Sequence, residues 1–152
     1  SKASSQKEWT ELAKTAESHG FNSLTMPDHF TDQLAPVPAL MAAANATKNL
    51  RIGALVWDND YKHPVVLAKE LATLDRMSNG RLLPAFGLGV ADVHEQQAFG
   101  VERTKRAKMF NEALAVVRSC WMDDEVTFHG EFYNYDNLRV NPKPKQQLEL
   151  YT

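Results

Sequence analysis

The chain has 152 residues, of which 43% are hydrophobic and 24% are charged, and its formal net charge at pH 7 is −2. This composition is typical of one soluble globular domain and excludes collagen-like, disordered and disulfide-scaffold proteins. The near-neutral charge provides no basic field for nucleic acid or anionic lipid, so neither is an expected partner. No run approaches the roughly 20 apolar residues of a membrane helix, and residues 1–7 lack the apolar segment of a signal peptide. The single cysteine, Cys120, has no internal disulfide partner, so we expect a cytoplasmic protein.

Helices and short apolar strands alternate along the first 122 residues. Ser5 and Glu8 form a capping box that predicts a first helix, and Gly20 is a typical helix stop. The elements predicted next are a strand at 21–26, a helix at 37–47, a strand at 50–57, a helix at 64–78, a strand at 81–86, and helices at 93–99 and 102–122. Continuous apolar strands separated by helices are typical of a parallel α/β fold. Within the third strand, Pro84 is unexpected because it has no N–H for the ladder.

The last thirty residues follow a different pattern. Residues 125–135 predict a β-hairpin with a two-residue turn at His129 and Gly130, and its aromatic side chains are expected to pack on the helices. Residues 141–147 predict an extended linker, and residues 148–152 are typical of the start of another strand.

Polar side chains follow each of the three predicted parallel strands. They are Asp28 and His29 after the first, Asp58, Asn59 and Asp60 after the second, and Asp92, His94 and Glu95 after the third. Because functional sites of parallel α/β folds form at the carboxyl ends of the strands, we expect these three segments to converge. The alternative is that they are ordinary polar loop residues, and that His63 caps the helix that starts at Pro64.

Two further features of the sequence, a pair of glycines and the single cysteine, are candidate chemical signals. Gly87-Leu88-Gly89 follows a strand, but the third glycine of a dinucleotide-binding motif would fall at Asp92, whose carboxylate would face a pyrophosphate. We therefore interpret the two glycines as leaving the strand end open for a flat ligand. Cys120 lies inside a predicted helix with no group nearby to lower its pKa, so we expect a buried, unreactive thiol.

The motifs of the chain together resemble those of the luciferase-like monooxygenases. The similar segments are residues 20–24, 26–30, 50–56, 63–70, 72–82, 87–89, 95, 98–100, 126–133 and 142–147. The resemblance is densest at residues 72–82, ATLDRMSNGRL, which are similar to the family signature ATLDRLSGGRL. It departs from the family at Gln33, which stands near the usual position of a tryptophan, and at Pro84.

The resemblance implies a (β/α)8 TIM barrel that binds FMN or the deazaflavin coenzyme F420 at the carboxyl ends of its strands, with the F420 branch more similar. The expected fold class is α/β, a partial (β/α)8 barrel of about three parallel strands with flanking helices plus the hairpin, in a single domain over 1–152. The family's first strand and its fifth to eighth strands have no counterpart here. We therefore expect a homodimer or a complementing fragment.

The resemblance also implies the site residues. His29 would lie against the reactive ring, Asp92 would be the catalytic proton donor, and a bulged strand with a non-prolyl cis peptide would fall at Leu55 and Val56. The full set implied to bind the cofactor is Asp28, His29, Leu55, Val56, Asp58, Gly87 and Gly89.

The leading hypothesis is a flavin- or F420-dependent oxidoreductase that acts on a small molecule, in which the cofactor carries the hydride and the protein handles the proton. No metal is expected in that case. A second hypothesis is a non-catalytic barrel fragment that acts through self-association. A third is a metal-dependent hydrolase with mixed nitrogen and oxygen ligands drawn from His29, Asp58, Asp60, Asp92 and His94.

Overall fold

The computed structural model describes residues 5–30, 32–89, 93–100 and 102–149, in which helices and short strands alternate. The helices are α1 (Gln6–Ser18), α2 (Pro36–Ala46), α3 (Pro64–Met77), α4 (Val93–Phe99) and α5 (Arg106–Met122). The strands are β1 (Ser23–Met26), β2 (Arg51–Ala54), β3 (Trp57–Asp58), β4 (Phe86–Gly87), β5 (Val126–His129) and β6 (Asn134–Leu138), and one turn of 3-10 helix covers Asn59–Tyr61. The predicted α/β class is confirmed.

The strands of the first half pair in parallel. β1 pairs with β2, with Ser23 opposite Arg51, and β3 pairs with β4, with Trp57 opposite Phe86. A single parallel bridge between Ile52 and Leu82 places the segment before β4 beside β2. The carboxyl ends of these strands therefore lie on the same side. The pairs are short, with four residues paired between β1 and β2 and two between β3 and β4.

The predicted third strand, 81–86, is regular only at its end. Ile52 donates its N–H to Arg81 O at 2.9 Å and accepts from Leu83 N at 2.8 Å, after which Pro84 has no N–H to continue the ladder. Pairing resumes where Trp57 N donates to Ala85 O at 2.8 Å. The uninterrupted strand was therefore a wrong prediction, and Pro84 is the reason for the interruption.

α1 begins with the predicted capping signal and packs against α2. Ser5 is the N-cap of α1 and its hydroxyl accepts the N–H of Glu8 at 3.3 Å. The indole of Trp9, which is buried, donates to Ala39 O at 2.6 Å and so fixes α1 against α2. α5 begins at Arg106, later than the predicted position 102, and the residue before it, Lys105, makes no side-chain cap.

The main core lies between the parallel strands and the helices. It includes the buried side chains of Leu40, Ile52, Leu71, Leu82 and Val116. Trp121 in α5 donates its indole N–H to Ala68 O in α3 at 2.9 Å, which joins the two helices. Cys120 is a free cysteine and is buried, as predicted, and burial raises the pKa of its thiol, which disfavours the reactive thiolate. No helix among the described residues is both long enough and apolar enough to span a bilayer.

The hairpin forms as predicted, but its turn does not. β5 and β6 are antiparallel, with His129 opposite Asn134, so residues 130–133 make a four-residue loop instead of a two-residue turn. The carboxylate of Glu112 in α5 accepts the backbone N–H groups of residues 131–133, at 2.9, 2.9 and 3.3 Å. These bonds lower the pKa of Glu112 and provide an acceptor for the backbone N–H groups of the longer loop. As predicted, Phe128, Tyr133 and Tyr135 pack on the core.

The segment predicted as a linker, 141–147, is anchored to α3. Asp75 is fully buried, and its Oδ2 accepts Lys145 N at 2.6 Å and Gln146 N at 3.0 Å. Its Oδ1 accepts the side-chain amide of Gln146 at 2.7 Å. The segment is therefore extended but packed against α3, because the buried carboxylate of Asp75 accepts hydrogen bonds from its N–H groups. We refer to this set of bonds as the Asp75 anchor.

Arg81 joins three elements at the opposite end of the strands from the polar segments. Its guanidinium donates to Ser78 O (2.7 Å), Thr47 Oγ1 (3.1 Å), Leu50 O (3.0 Å) and Ala44 O (2.7 Å). The segment with the densest resemblance, residues 72–82, therefore contains two residues, Asp75 and Arg81, that hold the fold together.

Candidate functional site

The polar segments that follow β1, β3 and β4 meet at one edge of the strands. Leu55 N donates to Met26 O at 2.9 Å, and Asp58 N donates to Asp28 Oδ2 at 3.3 Å. A Cβ atom placed on Gly89 would overlap the carboxylate of Asp58. The predicted convergence of these segments is thus observed among the described residues.

The peptide bond between Leu55 and Val56 is cis, as predicted from the family resemblance. This bond stands between β2 and β3, so the predicted single strand at 50–57 is divided there. The side chain of Leu55 is 63% exposed, whereas the next strand residue, Trp57, is fully buried. An apolar side chain is therefore presented at the edge where the polar segments meet.

The two glycines after the third predicted strand have a different role from the one expected. A Cβ on Gly87 would overlap Val56, and one on Gly89 would overlap Asp58. Gly89 also has a φ of +63°, which side-chain-bearing residues rarely adopt. The space beside these glycines is filled by this chain's own residues, so the glycines allow the loops to approach closely.

His29 lies in a hydrogen-bonded cluster with Glu95 and Tyr61. Its Nδ1 is 3.2 Å from Glu95 Oε1 and 3.3 Å from the hydroxyl of Tyr61. The side chain of Glu95 is 6% exposed and that of His29 is 29% exposed. Burial and a hydrogen bond to Glu95 raise the pKa of Tyr61, so its phenol stays protonated. Because a carboxylate oxygen only accepts hydrogen bonds, a bond between Nδ1 and Glu95 Oε1 places the ring N–H on Nδ1 and leaves Nε2 as the acceptor nitrogen of the neutral ring.

Three aspartates are held behind this cluster. Asp58 is 2% exposed, and its Oδ1 accepts the N–H of Asp60 at 2.9 Å. Burial raises the pKa of Asp58 to about 7, and the neighbouring charge of Asp60 adds to the shift. Burial also raises the pKa of Asp28 and that of Asp60, although Arg106 opposes the shift of Asp60. The carboxyl of Asp58 therefore changes its charge near neutral pH.

Arg106 links two of the converging loops, and sequence reasoning missed it. Its Nε donates to Asp60 Oδ2 at 2.5 Å, and its Nη2 donates to the carbonyl of Leu88. A basic residue in the first turn of a helix opposes the helix dipole, which was the available signal that it needs an acidic partner. Tyr61 was also missed, and its position directly after the predicted polar residues 58–60 was the only hint.

Asp92, His94 and His63 are further polar residues named from the sequence. Asp92 lies outside the described residues, and His94 is exposed on α4. His63 is the N-cap residue of α3 by position, but its ring makes no cap; its Nε2 is instead 3.1 Å from the hydroxyl of Tyr135. Within residues 5–30, 32–89, 93–100 and 102–149, no three His, Cys, Asp or Glu side chains are grouped to hold a metal ion.

The arrangement joins an exposed apolar side chain at a strand end, an oriented imidazole and a set of buried carboxyls. Residues 1–151 match the model of the family described as luciferase-like monooxygenases. The chain belongs to this family. It spans about half the length of the curated relatives that it matches.

Luciferase-like monooxygenase relatives include enzymes named for coenzyme F420. An F420-dependent glucose-6-phosphate dehydrogenase of Gordonia bronchialis is 31% identical, over 95% of this chain and 46% of the relative. Among solved structures, an F420-dependent secondary alcohol dehydrogenase in complex with an F420-acetone adduct is 30% identical, with a TM-score of 0.86 over 99% of this chain and 48% of that one.

A structure with bound FMN shares the fold at lower identity. It is the oxygenating constituent of 3,6-diketocamphane monooxygenase from Pseudomonas putida, 20% identical, with a TM-score of 0.77 over 86% of this chain and 38% of that chain. At this identity the likeness concerns the fold alone. The same fold therefore occurs in an F420-dependent enzyme and in an FMN-bound one.

Proposed function

We propose that this chain is part of an oxidoreductase that uses coenzyme F420 or FMN, with hydride transfer at the edge where the strand ends meet, in a partial (β/α)8 barrel. The observation that carries the proposal is His29, oriented by Glu95 and Tyr61 at the convergence of three segments. Membership of a family with F420-dependent dehydrogenases supports it. When bound, either coenzyme would accept or donate the hydride.

The residues present suit a flat, partly apolar coenzyme. The exposed side chain of Leu55 offers apolar contact beside the cis peptide, and Val56 is held behind it by its contact with Gly87. Asp28 would support this edge because its carboxylate accepts the backbone N–H of Asp58. The contribution of Gly89 would be indirect, through the position of Asp58.

His29 would move the proton that accompanies the hydride. Its Nε2 would accept a proton from a substrate hydroxyl, or return one to a carbonyl oxygen in the reverse direction. Glu95 would keep the proton on Nδ1 and stabilise the imidazolium that forms. The role of Asp92 as proton donor stays a prediction from the family resemblance, since this residue lies outside the described ones.

The coenzyme and the histidine are tested together. Titration of the chain with F420 and with FMN, followed by visible absorbance and fluorescence, should show saturable binding of one of them. His29→Asn should lower kcat by about 100-fold or more through loss of the proton acceptor, whereas the loss of one ring contact should raise the coenzyme Kd by no more than about tenfold. His19→Asn, at the exposed C-cap residue of α1, is the control and should change neither. The proposal fails if neither coenzyme produces a spectral change.

A second candidate is a non-catalytic member that acts through self-association. A groove of about 370 Å³ between α2 and α3 is lined largely by apolar side chains, including Val37, Met41 and Leu74. Val66 and Met77 on the same groove are 51% and 62% exposed. This surface supports a homodimer or a complementing fragment as partner.

A cytoplasmic location also stays part of the proposal, argued from the single free cysteine.

A further inference from the structure

Three aromatic rings stand beside the His29 cluster. Tyr61 and Phe99 are stacked, with centroids 4.7 Å apart, and Phe30 meets both rings edge-on, at 6.3 Å from Tyr61 and 5.8 Å from Phe99. These rings come from three segments: the one after β1, the 3-10 turn, and α4. Tyr61 belongs to both groups, because its hydroxyl is also 3.3 Å from His29 Nδ1.

Two of these rings are open to solvent. Phe30 is 51% exposed and Phe99 is 39% exposed, although both pack against a partly buried tyrosine. A cluster of half-exposed rings next to convergent polar groups is typical of a ligand site. The apolar surface therefore begins directly beside the imidazole that would handle the proton.

The charges around the rings do not favour an anionic ligand. Arg106 is engaged by Asp60 and by the carbonyl of Leu88, and Lys62 pairs with Glu70 at 2.5 Å. The carboxyl groups of the His29 cluster and of the three aspartates behind it lie at the same edge. A phosphate group at this position would face acidic groups, and the two basic side chains just named are already paired with carboxylates.

We infer that Phe30, Tyr61 and Phe99 form a subsite for a neutral, largely apolar alcohol or ketone. The apolar part of the molecule would pack on the rings while its oxygen reaches His29, and a sugar phosphate would be disfavoured. The inference rests on the proposed function for its choice of alcohol or ketone. The binding of the apolar part depends on the rings alone.

Ring resonances of phenylalanine-labelled chain, recorded without coenzyme, test the subsite with cyclohexanol and glucose 6-phosphate as probes. Cyclohexanol should shift the resonances of Phe30 and Phe99 saturably, and glucose 6-phosphate should not. Phe30→Ala and Phe99→Ala should each raise the Kd for cyclohexanol by about fivefold, from loss of one aromatic contact. Phe30→Leu keeps an apolar side chain and should stay within about twofold of the parent.

The matched control is Phe21→Ala, because Phe21 is 65% exposed and lies outside the cluster. The inference is overturned if cyclohexanol shifts neither ring, if Phe21→Ala weakens binding as much, or if glucose 6-phosphate displaces cyclohexanol. A chain that binds cyclohexanol on these rings but neither F420 nor FMN would support the subsite and contradict the proposed function. A chain that binds a coenzyme but not cyclohexanol would support the proposed function and contradict the subsite.

Discussion

Asp58 shows how the fold controls the chemistry of one side chain. It is almost fully buried, its backbone N–H is held by Asp28, and its carboxylate fills the space left by Gly89. Its Oδ2 is buried without a hydrogen-bond partner among the described residues. Such a carboxyl is costly to ionise, because the charge has neither solvent nor donors around that oxygen.

The stability of the protein should therefore depend on pH through Asp58. The unfolded carboxyl loses its proton near pH 3.8, whereas the folded one keeps it until about pH 7. Between these values the folded state binds more protons, so the free energy of unfolding falls as the pH rises. Asp58→Asn retains an acceptor for Asp60 N and has no carboxyl to ionise, so it should not lose stability as the pH rises. We expect its Tm at pH 8 to exceed the parent's by about 5 °C.

Thermal unfolding of parent and Asp58→Asn at pH 5, 6.5 and 8 measures this effect. The difference in Tm should shrink toward pH 5. Asp32→Asn, at an exposed position, is the control and should follow the parent. An unchanged pH dependence in Asp58→Asn would show that this carboxyl is already ionised in the folded protein at pH 5.

At the scale of elements, features that depend on neighbouring residues could be predicted from the sequence, whereas features that depend on contacts between distant residues could not. The capping box at Ser5 and the prolines at the start of α2 and α3 act within one helical turn, so the starts of those helices were predictable. The longer hairpin loop was not, because the carboxylate that satisfies it belongs to Glu112 on another element.

The Asp75 anchor leads to a prediction about α3 and the segment that follows β6. Asp75→Asn would place an amide group against the donors of Lys145 and Gln146, and one buried N–H would lose its acceptor. We expect a loss of about 2–4 kcal/mol in the free energy of unfolding. Urea unfolding measures it, with Asp124→Asn, an exposed aspartate, as the matched control. Equal stability of the two variants would contradict the role assigned to the anchor.

For the whole molecule, the family and the meeting of the strand ends were predictable, and several partners in the site were not. Asp28, His29 and Asp58 were found because polar residues follow each strand in the sequence. Arg106 and Tyr61 were missed because their contacts with Asp60 and His29 span 46 and 32 residues, which no local pattern reports.

The apolar groove between α2 and α3 makes association the prediction at this scale. We expect a dimer by light scattering at about 50 μM protein, because exposed apolar surface is covered by association. Met77→Lys, within the groove, should shift the molecule to monomer, whereas Met122→Lys, equally exposed on α5, should not. A monomeric parent would remove the groove as an interface, and a dimer that binds neither coenzyme would favour the non-catalytic candidate.

The Asp75 anchor also sets a limit on how short a folding unit of this sequence can be. It joins residues 70 and 71 positions apart in the chain and so encloses β4, α4, α5 and the hairpin in one closed loop. A fragment that stops at residue 144 would keep all of those elements and the His29 cluster, yet would leave a fully buried carboxylate without its three donors. The smallest autonomous piece therefore extends at least through Gln146, well past the last residue that touches the candidate site.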